Sequence, residues 1–221
     1  MTPPARPAAV LFDCDGVLAD SEGLVNSLVA HDLSARGWPI TAEQAREAFL
    51  GLSLPAMVPV IEARVGRLPP DWRGALTKRI VDAVATDLQP VPGAVAALGA
   101  VVEAGIPVAV ASNSGRPELM AKLARLGLLG GFAGRVFSFE DVARPKPAPD
   151  IYLAAARACG AAPVDCAVVE DSLLGVRAGV YAGCRVLGLA RDTDASVLAA
   201  AGAEPFAAMA ALPGLLGLAP A

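Results

Sequence analysis

An apolar run, Ala8-Ala9-Val10-Leu11-Phe12, stops abruptly at Asp13-Cys14-Asp15-Gly16. Two carboxylates one residue apart at the end of a buried run serve no packing purpose. They raise each other's pKa and cost stability unless a cation neutralises them. Three more polar clusters follow downstream: Ser112-Asn113-Ser114-Gly115, Arg144-Pro145-Lys146-Pro147 and Glu170-Asp171-Ser172. Each alone has an ordinary reading. Asp-Gly is a common turn, Ser114 and Ser172 are candidate helix caps, and a Lys between prolines suits an exposed loop. Together they specify a chemistry. Three or four carboxylates with water suit a hard, octahedral cation, which favours Mg²⁺. His31 is the only histidine, so no His cluster competes for a softer metal. A lysine facing the carboxylates relieves their repulsion and can hold an anionic oxygen. Hydroxyl and amide donors at a helix N-terminus suit phosphate. A carboxylate nucleophile with Mg²⁺ and phosphate donors is the apparatus of an aspartyl-phosphate intermediate. Asp13, which ends the strand, is the candidate nucleophile. Asp15, around the turn, is the candidate general acid and then base.

These residues meet only if the chain brings their strands side by side. After the strand at 8–12, the stretch from about 20 to 86 has no convincing buried strand. Its amphipathic patterns cover Glu22–Arg36, Ala42–Phe49, Pro55–Val65 and Asp71–Thr86, with breaks at Gly37-Trp38-Pro39, Gly51 and Gly66–Pro70. It reads as an inserted module of four helices. Strand and helix then alternate: helix 93–104, strand 107–111, helix 117–127, strand 135–138, helix 149–159, strand 166–169, helix 173–182, strand 185–189 and two shorter elements. That alternation predicts an α/β fold, a doubly wound parallel sheet with helices on both faces. Ligands bind such sheets at the carboxyl ends of the strands, where all four clusters fall. The expected division is a Rossmann-like core at 1–18 and 88–221, with the helical module at 19–87.

Composition narrows the class. The chain has 221 residues, 55% of them hydrophobic and 18% charged, so it should bury a substantial core. A net charge of −4 with no basic stripe argues against a nucleic-acid or anionic-membrane partner. No apolar stretch approaches the roughly 20 residues that span a bilayer. The Pro-rich Met1–Pro7 segment reads as a frayed tail, not a signal peptide, and the apolar Ala210–Ala221 segment is broken by Pro213 and Pro220. Cys14, Cys159, Cys166 and Cys184 have no CxxC spacing and read as buried free thiols, which suits a reducing cytoplasm. Oligomeric state is not legible; a monomer is compatible with everything above.

The run Asp13-Cys14-Asp15-Gly16-Val17-Leu18-Ala19-Asp20-Ser21-Glu22 resembles the first signature of the haloacid dehalogenase (HAD) superfamily. Ser112-Asn113, Lys146 within Arg144–Asp150, and Val169-Glu170-Asp171-Ser172 resemble the second, third and fourth, in order and spacing. The resemblance covers essentially the whole chain. Its Asp-x-Asp pair sets it apart from the true dehalogenase branch, and the inserted helices are similar to the cap of the β-phosphoglucomutase and phosphoglycolate phosphatase group. The resemblance implies Asp13 as nucleophile and Asp15 as acid and base. It implies metal ligation by Asp13, the Asp15 backbone carbonyl and Asp171, with Glu170 standing behind them. Ser112, Asn113 and Lys146 would hold the transferred phosphoryl group.

It further implies a cap hinged at Val17–Asp20 and Asp87–Pro90, whose specificity loop is Phe49–Leu54, with Gly51 and Ser53 as candidate substrate contacts. Arg116 is a further candidate for a substrate anion. The chain departs from β-phosphoglucomutase in that loop: Leu50 and Leu54 stand where the mutase has Lys and Arg, and Val25 where it has a cap His. A second phosphate would find little positive charge. The expected function is therefore a Mg²⁺-dependent phosphatase acting on a small phosphomonoester, such as a sugar or related metabolite phosphate. The alternatives are a phosphosugar mutase and a non-catalytic binding protein. Gly175 and Gly179, one turn apart, are expected to permit close helix packing or to leave room beside the site.

Overall fold

A computed structural model describes residues 6–218. Most of the proposed N-terminal tail, and Pro220 and Ala221, lie outside the described residues. The elements run β1 (Ala9–Phe12), α1 (Glu22–Ala35), α2 (Ala42–Phe49), α3 (Leu54–Val65), α4 (Trp72–Asp87), α5 (Ala94–Glu103), β2 (Val108–Ser112), α6 (Arg116–Arg125), α7 (Leu129–Phe132), β3 (Val136–Ser138), α8 (Asp150–Ala158), β4 (Cys166–Glu170), α9 (Leu173–Tyr181), β5 (Arg185–Leu189), α10 (Ala195–Ala200), β6 (Glu204–Phe206) and α11 (Leu212–Leu215). The expected elements are all present with small shifts at their ends. Helix α7 is an addition, hidden from a periodicity reading by its four-residue length and two glycines.

The six strands form one parallel sheet in the order β3-β2-β1-β4-β5-β6. Strand β1 is central, pairing β2 through Val10↔Val108 and β4 through Phe12↔Val169. Every residue of β1, β2 and β4 is buried, which is why they read as unbroken apolar runs. Alternate side chains enter opposite layers. Val10 and Phe12 join a cluster with Leu98 of α5 and Leu119 of α6, while Ala9 and Leu11 pack with Ile151 of α8 and Val176 of α9. Helices thus cover both faces. The six-strand order places β1 and β4 beside each other at the crevice where the winding reverses.

Helices α1–α4 leave the sheet after β1 and return before α5. The two crossings run side by side: Asp20 N–H donates to the Gln89 carbonyl at 2.9 Å and Val91 N–H to the Leu18 carbonyl at 3.0 Å. The apolar layer is continuous from Phe12 through Leu18 into Val29, Ile61 and Trp72 of the inserted helices, and α4 packs on α6. Helix α2 is fixed by a capping box between Thr41 and Gln44. Among the described residues no single helix is long and apolar enough to cross a membrane. All four cysteines are free thiols.

Asp32 ties α1 to α4. Its carboxylate accepts from Arg36 Nε at 2.8 Å, Trp72 Nε1 at 2.6 Å and Arg79 Nη1 at 3.3 Å. Partial burial pushes this carboxyl up, but the bonds from Arg36 and Trp72 outweigh it and hold the group below its ordinary 3.8. Asp32→Ala should lower the unfolding free energy by about 1–3 kcal/mol in chemical denaturation, because the indole N–H loses its charged acceptor. Because the folded-state pKa is the lower one, the stabilisation is present above pH ~4 and is lost as pH falls through the folded value. The gap between wild type and variant should close on acidification.

Candidate active site

The carboxyl ends of β1, β2 and β4 deliver the polar clusters to one cleft roofed by α1–α4. Its cavity of about 120 Å³ is lined by Asp13, Asp15, Ser112, Asn113, Lys146 and Asp171 on the sheet side. Asp13 follows the last residue of β1, with its N–H donating to the Val169 carbonyl at 2.9 Å. Its carboxylate accepts from Lys146 Nζ at 2.5 Å, and the same ammonium reaches Glu170 Oε1 at 2.6 Å. All three side chains are buried. Oxygens of Asp13, Glu170 and Asp171 lie within 4.8 Å of one another.

Glu170 is saturated. Besides Lys146, it accepts from Tyr152 Oη at 2.8 Å, from the N–H groups of Asp171 and Ser172 at 3.0 and 3.1 Å, and from Ser172 Oγ at 3.0 Å. Asp13 and Asp171 are therefore the carboxylates with capacity to spare. Burial pushes the Asp13 carboxyl up to about 8 against the pull of Lys146, with Glu170 and Asp15 adding to the rise. Burial, then Glu170 and Asp13, push Asp171 well above the carboxylate range. Such a pair is stable as two anions only beside a further cation, and the donors are all oxygen. This set fits a hard divalent ion.

Two glycines make the cluster possible. Gly16 has φ +71, and a Cβ there would lie 1.9 Å from Asp171 Oδ2. A Cβ on Gly175 would lie 1.6 Å from Glu170 Oε1. Gly175 thus leaves room for the Glu170 carboxylate. Gly179 serves packing, since its Cβ would meet Val186 Cγ2 at 2.7 Å.

Asp15 stands apart from the acidic trio. Its carboxylate accepts from Ser112 Oγ at 3.2 Å, Ser114 Oγ at 2.8 Å, Ser21 Oγ and Lys122 Nζ. Although desolvation pushes it up, Lys122 and the hydroxyls prevail and hold it at about 2. Any metal contact from Asp15 must come through its backbone, not its carboxylate. Lys122 is the residue that sequence reasoning missed. It is buried on α6, where it also pairs with Glu118 one turn back. The available signal was its position: Leu119, Lys122 and Leu123 form the buried stripe of α6, so a lysine occupies an apolar slot.

Asn113 joins the parts. Its amide donates to the Gly51 carbonyl at 2.8 Å and to the Lys146 carbonyl at 3.2 Å, and accepts from Lys146 N–H at 3.1 Å. The Gly51 loop is thereby fastened over the site. From this loop Leu50, Gly51, Leu52 and Leu54 line the cleft. Two expected contacts are placed elsewhere. Ser53 is buried as the residue before α3 and does not line the cleft. The Arg116 guanidinium pairs with Asp141 at the surface, because its position at the start of α6 directs it along the outer edge of the sheet.

Both the sequence and the fold are matched by known proteins. A family model described as haloacid dehalogenase-like hydrolase matches residues 7–183. Hexitol phosphatase A of Escherichia coli K12 is 34% identical over 187 residues, 82% of this chain and 85% of that protein. The 6-phosphogluconate phosphatase of the same organism is 27% identical over 190 residues, 85% of each. A solved structure of a HAD family hydrolase from Deinococcus radiodurans R1, with bound phosphate and sodium, superposes with a TM-score of 0.78 and 32% identity, covering 99% of this chain and 100% of that one. The chain belongs to the haloacid dehalogenase-like hydrolases, an enzyme family, and its curated relatives include phosphatases.

Paired glycine substitutions test the geometry. Gly175→Ala should destabilise the protein by at least about 2 kcal/mol, since neither the helix backbone nor the saturated Glu170 can give way. Gly99→Ala, in α5 with nothing within 4 Å of the added Cβ, should instead raise stability by about 0.5–1 kcal/mol. Lys122→Met should cost about 2–4 kcal/mol, at or below the full figure for a broken buried pair because Asp15 opens onto the cleft. Thermal melts of the three variants read all these effects.

Proposed function

We propose that this hydrolase is a divalent-cation-dependent phosphatase, with Mg²⁺ as the ion, acting on a small phosphomonoester through an aspartyl-phosphate. The observation that carries the reading is the buried Asp13 carboxylate, held by Lys146 at 2.5 Å beside Asp171 at the end of β1. Asp13 and Asp171, with the Asp15 carbonyl, would hold the ion, and Glu170 would fix Lys146 and the Asp171 backbone. When bound, the ion offsets the carboxylate charge and draws electron density from the phosphoryl oxygens. Lys146 and the Ser112 hydroxyl bind the transferred group. The Asn113 side chain is committed to Gly51 and Lys146, so its own share would come from its backbone N–H.

In the first step an Asp13 oxygen bonds to phosphorus and the ester P–O bond breaks, with Asp15 giving its proton to the departing alkoxide. In the second, water attacks the same phosphorus, Asp15 takes a proton from that water and the P–O bond to Asp13 breaks. Asp15 is ionised as it stands, ready for the second step. For the first, an arriving phosphate dianion opposes its charge and favours protonation. Helices α1–α4, residues 19–87, act as a cap over the core formed by 1–18 and 88–221, and closure excludes bulk water. The free thiols favour a reducing, cytoplasmic setting. Leu50 and Leu54 in the cap loop favour hydrolysis over a mutase reaction that must retain a second phosphate.

Asp13→Asn should lower p-nitrophenyl phosphate turnover by at least about 10³-fold while the thermal melt stays cooperative. Chelation by EDTA should abolish wild-type turnover and added Mg²⁺ restore it. Unchanged turnover in the variant would remove Asp13 as nucleophile. Release of glucose 6-phosphate, not free phosphate, from β-glucose 1-phosphate would favour the mutase.

A further inference from the structure

The cap side of the cleft differs sharply from the sheet side. From α1 it is lined by Glu22, Val25, Asn26 and Val29, and from the loop and α3 by leucines and Met57. Glu22 and Asn26 are one turn apart, so they share a face over the cavity. No lysine or arginine of the cap lines it. Arg46 acts on Glu22 only through space and stands outside the cleft. Around the whole cavity the ionisable side chains are Asp13, Asp15, Glu22, Glu118 and Asp171 against Lys146 alone. Lys122 is already shared between Asp15 and Glu118.

A phosphate can enter such a cleft because Lys146 and a divalent ion at Asp13 and Asp171 answer its charge. No group is left to answer a second anion. The cap instead offers an acceptor: Glu22 Oε2 is buried and has no hydrogen-bond partner. Burial, then the nearby Asp15 charge, push the Glu22 carboxyl up to about 7, against the pull of Arg46. Its unpaired oxygen lacks a hydrogen-bond partner in either protonation state, and a substrate hydroxyl supplies one.

Resting on the phosphatase reading above, we propose that the cleft selects phosphomonoesters whose leaving group is uncharged and hydroxyl-bearing, with Glu22 accepting from a hydroxyl, and rejects esters carrying a carboxylate or second phosphate. The flanking Val25, Leu52, Leu54 and Met57 then cover the carbon skeleton, and Asn26 donates or accepts as the hydroxyl pattern requires.

Sorbitol 6-phosphate and 6-phosphogluconate form a matched pair: one carbon chain and one phosphate, ending in CH₂OH or in a carboxylate. With the Mg²⁺-loaded full chain, kcat/KM should favour sorbitol 6-phosphate by at least about tenfold, the effect of one lost hydrogen bond or one like-charge contact. Assayed at about pH 8, above the raised Glu22 value of about 7, Glu22→Gln removes the repelling charge, so the preference should shrink by at least about threefold. Equal or better turnover of 6-phosphogluconate by wild type, with p-nitrophenyl phosphate still hydrolysed, overturns the selectivity and leaves the phosphatase reading standing. An unchanged ratio in a cooperatively folded Glu22→Gln protein removes Glu22 from the assignment. Failure to hydrolyse p-nitrophenyl phosphate at all overturns both.

Discussion

Lys146 bridges Asp13 and Glu170 at the mouth of the sheet, with Asp171 close by. One buried ammonium among three buried carboxylates leaves unbalanced negative charge in a setting where water cannot screen it. Much of the local structure answers that constraint. Tyr152 and two backbone N–H groups saturate Glu170, so its hydrogen bonding does not fall on Lys146 alone. Gly16 and Gly175 give up their side chains so that the Asp171 and Glu170 carboxylates can occupy the space. What remains uncompensated is the Asp13–Asp171 pair, and that residue of charge suits a hard divalent cation.

A second lysine performs the same service for Asp15 by a separate route. Lys122 reaches it from α6, while Lys146 reaches Asp13 from the loop before α8. Asp13 and Asp15 are thus held by different cations on different elements, and burial pushes Asp13 up while Lys122 and its neighbours hold Asp15 low. Two carboxylates one residue apart in sequence acquire unlike environments because their partners are unlike.

The strand-end clusters were legible from sequence because each interrupts an apolar run, and an interruption at a strand end is visible without coordinates. The parallel sheet with helices on both faces followed from alternating strands and helices, whereas the strand order came from the structure. Lys122 was not legible: in a helix, a lysine every few residues is ordinary surface chemistry, and only packing shows that this one lies in the apolar stripe. Gly175 was noticed for its helix position, but its reason depends on where Glu170 points, which a linear pattern does not carry. Arg116 misled in the opposite sense, since proximity in sequence to Ser112 did not translate into a direction toward the cleft. In each case the element was predictable and the side-chain vector was not.

The cap loop carries the last consequence of the charge constraint. Asn113 uses one amide to hold both the Gly51 carbonyl and the backbone of Lys146, so closure of the loop and placement of the lysine depend on the same side chain. The Gly51 loop is therefore tied through Asn113 to the lysine that faces Asp13. If the cap lifts, Asn113 keeps its two bonds to Lys146 and loses only Gly51, so the sheet side stays organised while the cleft opens. On the proposed reading, a division of labour follows from that asymmetry: phosphate chemistry would be fixed in the sheet, and discrimination among leaving groups would fall to the helices above it.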